Sequence, residues 1–284
     1  MTKRTLVQFF HWYFPEGGQL WADVAERAGE MAGMGVTDVW LPPAYKGAAG
    51  EKSIGYDVYD LFDLGEFDQK GSRATKYGDR EAFEKATGAL RSAGLRVIHD
   101  VVFNHRIGAD EAERVMVRRV NPDNRTEIED DAFEASAWTR FTFPGRAGKH
   151  SEFVWDMRCF TGVDHIEDPD ENGVFKLVNE YGDGEWNSEV DQEMGNFDYL
   201  MGADVEFRNN AVYEELKFGA AGCPSRFHVT GSGWMRRSTY RPGSSATGLG
   251  TCGKTSATNS SWWRNTGTRT WVPFSPISTW STSS

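Results

Sequence analysis

After Glu215 the chain has no Asp or Glu at all, although its 284 residues carry 42 acids against 31 Lys and Arg. Residues 1–218 hold every acid and 24 of the bases, so their formal charge is 24 − 42 = −18. Residues 219–284 hold seven bases and no acid, which gives +7 and accounts for the whole-chain −11. Other shortages narrow the class. Three cysteines, Cys159, Cys223 and Cys252, cannot close a disulfide framework, and no Cys-x-x-Cys pair points to zinc. No apolar run reaches the roughly 18 residues of a membrane span. The start "MTKRTLVQFFHWY" lacks the long apolar segment and small-residue cleavage site of a secretory leader, so it reads as a first strand. As written, the chain is expected in the cytoplasm; a start further upstream would make it extracellular. Net negative charge argues against nucleic acid and anionic surfaces and suits a neutral ligand.

The acid-free stretch is also unusual in what it holds: 24 Ser or Thr and five Trp in 66 residues. A nucleic-acid arm would be richer in Lys and Arg. A flexible linker would not expose five Trp. No window there keeps a helix or strand period for long.

The first hundred residues are more regular. "TLVQFFHWY" (5–13) is an apolar run suited to a buried strand. In "WADVAERAGEMAGMG" (21–35), Trp21, Val24, Ala28, Met31 and Ala32 share one helical face, and Gly35 suits a C-cap. "VTDVWLPP" (36–43) is a second strand ended by its prolines. In "DREAFEKATGALRSAG" (79–94), Asp79 caps a helix, Phe83, Ala86 and Leu90 face inward, and Gly94 ends it. "LRVIHDVVF" (95–103) is a third strand. Apolar strands alternating with helices predict an α/β fold with a parallel, helix-covered sheet. Residues 106–203 are polar and turn-rich ("NPDNR", "FPGRAGKH", "EDPDENG") and form one long excursion from the third strand; such insertions usually carry function. "AVYEELKF" (211–218) begins a new helix.

Polar residues at the C-terminal ends of parallel strands are candidates for a site. "DVVFNH" puts Asp100, Asn104 and His105 there. Two readings stand: a buried structural Asp with a loop-capping Asn-His pair, or a ligand-contacting His with a metal-binding Asn. Calcium takes hard oxygen ligands from scattered carboxylates, amides and carbonyls. "GNFDYLMGADVEF" offers Asp198 and Asp204, which solvated loop acids would also explain. Tyr56 is a candidate platform for a sugar ring, whose apolar face and hydroxyls suit aromatic and polar partners. Trp12, Tyr13 and Trp40 are read as core, and "EAERVMVRRV" (111–120) as solvated loop surface. No convincing pair of carboxylates at successive strand ends is found.

The segments "LVQFFHWYFPEGGQLWADV", "VWLPPAYKG", "GYDVYDLFDLGEFDQKGSRATKYG", "DVVFNHRIGADE" and "GNFDYLMGADVEF" resemble, in order, the alpha-amylase family, and most of all the bacterial single-chain enzymes that cut starch and glycogen internally. The resemblance covers roughly residues 5–218. It implies a TIM (β/α)₈ barrel whose first three strands and helices fall in residues 1–105. Residues 106–205 would be the domain B inserted after strand three, 206–218 the start of the third barrel helix, and 219–284 an aberrant, disordered tail. It further implies that Tyr56 and His105 contact the glucose unit at the cleavage point, with Asp100 on the floor of the site. Asn104, Asp198 and Asp204 would bind a structural calcium. The partner would be an α-glucan or maltooligosaccharide, with no nucleic acid or membrane involved and the protein monomeric. The chain departs from the family at Thr161, Asn187, Glu206 and Arg208, where Asp is usual, which puts additional metal positions in doubt.

The family's next blocks, a "GFRLD"-like nucleophile strand and an "AEYW"-like general-acid strand, are absent, so no catalytic residue is assigned. Synonymous codons exist that let "FHVTGSGWMRRSTYRP" read, from its third base, as PCDGFRLDAAKHIP. In the same phase "NSSWWRNTG" permits LFVVAEYW. This is compatible with a frameshift near residues 218–222. The expectation is a retaining alpha-amylase framework whose chain, as written, is inactive. The alternatives are a non-catalytic glucan-binding fragment and an interaction module with a genuine Trp/Ser-rich tail.

Overall fold

The computed structural model describes residues 3–181, 185–187, 199–227 and 234–235, with 219–227 and 234–235 described by backbone course alone. The first part contains β1 (Leu6–Gln8), α1 (Leu20–Gly33), β2 (Asp38–Leu41), β3 (Lys46–Gly47), β4 (Val58–Asp60), α2 (Arg80–Ser92) and β5 (Arg96–Val101). The second contains β6 (His105–Arg106), β7 (Glu111–Arg119), β8 (Phe133–Arg140), β9 (Phe160–Glu167), β10 (Asp170–Leu177) and β11 (Ala203–Val205). Helix α3 (Asn210–Phe227) and β12 (Trp234–Met235) follow.

One sheet has the order β1-β2-β5-β12 and is parallel throughout. Its core comes from the predicted helix faces. Trp21, Val24, Ala28 and Met31 of α1 and Phe83, Ala86 and Leu90 of α2 are buried with Val39, Leu41 and Val97 of the strands. Asp79 caps α2 through its side chain, accepting from the Ala82 N–H at 2.9 Å. Gly35 and Gly94 end the helices at φ +84° and +79°, where an L side chain is strained.

The first strand is shorter than its apolar run. Phe9 still donates to the Trp40 carbonyl at 2.9 Å, but the chain then turns, with Phe14 N–H on the His11 carbonyl at 3.1 Å. Trp12 and Tyr13 are therefore 63% and 86% exposed, which overturns their assignment to the core. Trp40 is half-buried, edge-on to Phe10.

A second, six-stranded antiparallel sheet has the order β6-β11-β9-β10-β7-β8. One face packs Val115, Val117, Ala135, Ala137, Phe175 and Leu177 against Phe141, Phe143 and Trp155, and α3 adds Val212 and Leu216. Residues 111–120 are thus a strand with one buried face rather than loop surface. Val115 and Val117 point in, while Met116 stands 41% exposed between them. Helix α3 continues nine residues past Phe218, into the stretch expected to lack regular structure. β12 also lies in that stretch and pairs in parallel with β5, Trp234 beside Asp100. The rest of the tail, and the expectation that it is disordered, lie outside the described residues. Among the described residues no helix is long and apolar enough to cross a membrane.

Candidate functional site

β5 ends at Val101, and Asp100, 3% exposed, sits at its C-terminal end. The strand end is held by the Val102 N–H, which donates to Tyr45 Oη at 2.8 Å. Tyr56 arrives from the loop joining β3 to β4. Gly55 lets that loop pass Pro43 at φ +94°, where an added Cβ would lie 2.5 Å from Pro43 Cβ. Tyr56 Oη then donates to Asp100 Oδ2 at 2.7 Å. His105, on β6 and 3% exposed, places Nε2 2.8 Å from the Tyr56 carbonyl. A carbonyl only accepts, so Nε2 carries the proton and Nδ1 of the neutral ring is left as an acceptor. Nδ1 has no partner among the described residues. Burial lowers the pKa of His105, against the opposing hydrogen bond to the Tyr56 backbone, which favours that neutral ring. Trp12 lies nearly parallel to the Tyr56 ring, 6.0 Å between centroids and 9° between planes.

Next to this group, Asn104 Nδ2 donates to Asp204 Oδ1 at 3.0 Å, and Thr161 Oγ1 donates to Asp204 Oδ2 at 2.6 Å. Asp204 is 2% exposed and stands opposite His105 in the β11–β6 ladder. Asp198 lies outside the described residues. The fully buried Glu206 accepts from Arg208 through Nε at 2.7 Å and Nη2 at 2.5 Å. Asn187 is buried.

Tyr56, Asp100 and His105 are therefore brought together, and Asn104 with Asp204 beside them. Asn104 reaches a residue 100 positions away. Sequence reasoning missed Trp12 as an exposed ring at this site. Its apolar neighbours gave it the same signal as a core residue. Thr161 as a partner of Asp204 left no local signal, because the two meet across strands.

The oxygen chemistry of Asn104 and Asp204 suits a hard cation such as calcium. Yet both carboxylate oxygens of Asp204 already have protein donors, and Arg208 neutralises Glu206. Among the described residues no three His, Cys, Asp or Glu gather into a metal cluster. Asn104 and Asp204 thus hydrogen-bond to protein partners, and neither Thr161 nor the arginine-paired Glu206 fits a further ion.

Parallel strands under helices, with buried polar and aromatic groups at the strand C-termini, define a protein of the α/β class with its site at the strand ends. The chain belongs to the alpha-amylase family: the profile described as "Alpha amylase, catalytic domain" matches residues 19–220. The fold is accordingly the N-terminal part of a TIM barrel. The chain is similar to a cytoplasmic alpha-amylase of Escherichia coli K12, 58% identical over 220 residues, 78% of this chain and 44% of that protein. It is 44% identical over 214 residues to an alpha-amylase of Geobacillus stearothermophilus, 75% of this chain and 38% of that one. It is 43% identical over 216 residues to a glucan 1,4-alpha-maltohexaosidase of Bacillus sp. strain 707, covering 76% and 41%. The chain thus spans less than half the length of these relatives. Among solved structures, a noncanonic maltogenic alpha-amylase from Thermotoga neapolitana overlays at TM-score 0.39 and 15% identity, covering 79% of this chain and 36% of that one.

Proposed function

We propose that this chain carries the glucan-contacting part of an alpha-amylase site, a site for α-1,4-glucans such as starch and glycogen. The observation that carries this reading is the contact of Tyr56, Asp100 and His105 at one strand end, with Trp12 flanking Tyr56. Tyr56 and Trp12 offer rings to the apolar face of a sugar. His105 Nδ1 can accept from a sugar hydroxyl while Nε2 stays anchored. Asp100 orients Tyr56 and forms the floor. Asn104 and Asp204, with Asp198, would hold a calcium ion, which would supply a positive charge between the residue preceding β6 and β11. Residues 1–105 would be the barrel part and 106–205 domain B. The cytoplasm, named for the Escherichia coli relative, is the compartment proposed here.

Retaining hydrolysis needs two carboxyl groups across the scissile bond. The motifs that carry them in the family have no match in this chain, so we assign it binding without turnover. The acid-free stretch is read as translation in an alternate phase, and sequencing the DNA across codons 215–225 tests that directly. An alternate frame that does not spell the two acid-bearing strands would overturn it.

The binding reading is tested by titrating maltoheptaose calorimetrically and assaying soluble starch in parallel. Saturable binding is expected, with starch left intact. Tyr56→Ala and Trp12→Ala are each expected to weaken binding about 5- to 10-fold, the effect of losing one aromatic contact of about 1 kcal/mol or slightly more. Absence of binding, or starch turnover comparable to that of a full-length relative, would refute the proposal.

A further inference from the structure

β3 carries Lys46 into a place that solvent does not reach; its side chain is 0% exposed. Its Nζ donates to three backbone carbonyls: Phe67 O at 3.1 Å, Ser72 O at 2.6 Å and Arg73 O at 2.7 Å. An ammonium has three N–H donors, so donors and carbonyl acceptors match in number. Asp63 Oδ2, also 0% exposed, stands 3.3 Å from Nζ and supplies the counter-charge.

The rest of the cage is built without the lysine's charge. Asp63 Oδ1 accepts the N–H groups of Gly65, Glu66 and Phe67 at 2.9, 2.8 and 3.2 Å. Gln69 Nε2 bridges Asp63 Oδ2 and Asp60 Oδ2 at 3.0 Å each. Gln69 and Ser72 exchange backbone hydrogen bonds at 3.1 and 3.2 Å, which brings the three carbonyls to one side. A buried carbonyl without a donor is costly, so the turn of the chain over 67–73 needs N–H donors at this point, and the buried Asp63 carboxylate 3.3 Å away favours a positively charged one. The contacts of 2.6–3.3 Å are hydrogen-bond lengths; calcium and magnesium would need about 2.3–2.6 Å and 2.0–2.1 Å. A guanidinium's flat fork cannot converge on three carbonyls around one atom.

We propose that residues 63–73 form a cation site of the ammonium class, filled from within the chain by Lys46, and that this ion orders the loop against the β3–β4 hairpin. Burial of the site depresses the Lys46 pKa, with Asp63 opposing that effect.

The test uses the full chain. Lys46→Ala removes three carbons and the nitrogen, the size of n-propylammonium. The variant is expected to lower Tm by roughly 6–20 °C, as for breaking a buried pair in a domain of this size. Added n-propylammonium should restore at least about half of that loss in a saturable way, taking the buried-pair estimate as the full loss. Tetramethylammonium, which has no N–H, and calcium should not. Trypsin cleavage after Lys70 and Arg73 should rise in the variant and fall again with n-propylammonium. If Lys46→Ala does not fold alone, Lys46→Met keeps the stem, and its Tm loss should not respond to any amine, because its side chain occupies the space of the lysine stem. Wild-type Tm in Lys46→Met, or equal rescue of Lys46→Ala by tetramethylammonium, or no rescue by n-propylammonium, would overturn the proposal.

Discussion

Asp38 opens β2 with a carboxylate whose side chain is 2% exposed, and two arginines close on it. Arg4 Nη2 lies 2.5 Å from Oδ1, Arg96 Nη2 lies 2.7 Å from Oδ2, and Thr37 Oγ1 donates to Oδ2 at 2.6 Å. Burial alone would raise the pKa of Asp38; these donors outweigh it and hold the group down at about 2. A carboxylate with a depressed folded pKa contributes stability that is complete above the unfolded value, about 3.9, and is lost as pH falls towards 2. The arginines are half-exposed, so after screening the contribution is about 1–2 kcal/mol. Asp38→Asn should therefore lie below wild type by that amount at pH 6 in urea unfolding. The gap should narrow between pH 4 and 2. A gap that stays constant across that window would rule out the carboxylate as its source. This clamp was not legible in the sequence, since Arg4 and Arg96 lie 34 and 58 residues from Asp38. Asp100, Asn104 and His105 were legible as a strand-end group, because position along a strand is a local property. What each touches was not: Asn104 finds Asp204 only through the fold.

Helices α1 and α2 were legible because their signal is local: a 3.6-residue period, Asp79 at one end and glycine at the other. The antiparallel sheet was not, because its rows join distant segments. One row runs His105, Asp204, Gly162, Lys176 and Arg118 across β6, β11, β9, β10 and β7. The midpoint must be glycine. A Cβ there would lie 2.8 Å from Trp186 Cη2 and 2.9 Å from the Phe175 carbonyl. The backbone atom cannot yield, and the indole is anchored by Trp186 Nε1 on the Arg125 carbonyl at 2.7 Å. Gly162→Ala should cost about 1–3 kcal/mol through overpacking, read as a fall in Tm. If Trp186→Ala opens the space, the Gly162→Ala loss on that background should shrink. An undiminished loss in the double variant would place the strain elsewhere.

At the scale of the molecule, the last acid in the chain is also the point where its parts meet. Glu215 on α3 is 8% exposed and accepts from Ser151 Oγ at 2.6 Å. Burial raises its pKa, while Arg106 and Arg146 nearby favour its charged form. Arg106 begins the antiparallel sheet, holds the Tyr59 carbonyl at 3.1 Å and lies 4.0 Å over the Trp155 ring. Arg146 pairs with Asp60 of β4, Nε to Oδ2 at 2.9 Å. Two buried arginines thus face two buried acids drawn from β4 and α3, and neither sign is in excess. Upstream of residue 219 the chain holds a net −18, so an acid lost from its surface would hardly register. Here it would remove one of the two acids whose charge Arg106 senses, Asp60 being the other. Glu215→Ala is expected to cost about 1–3 kcal/mol, as for leaving the part-buried Ser151 hydroxyl without its acceptor. Glu215→Gln should cost less, since its amide oxygen can still accept from Ser151. Arg106→Met should cost less on the Glu215→Ala background than in the wild-type chain, because one of the charges facing it is already gone. Urea unfolding of these variants and of Arg106→Met separates the possibilities: a double variant worse than Glu215→Ala by the full cost of Arg106→Met would mean the two residues do not sense each other.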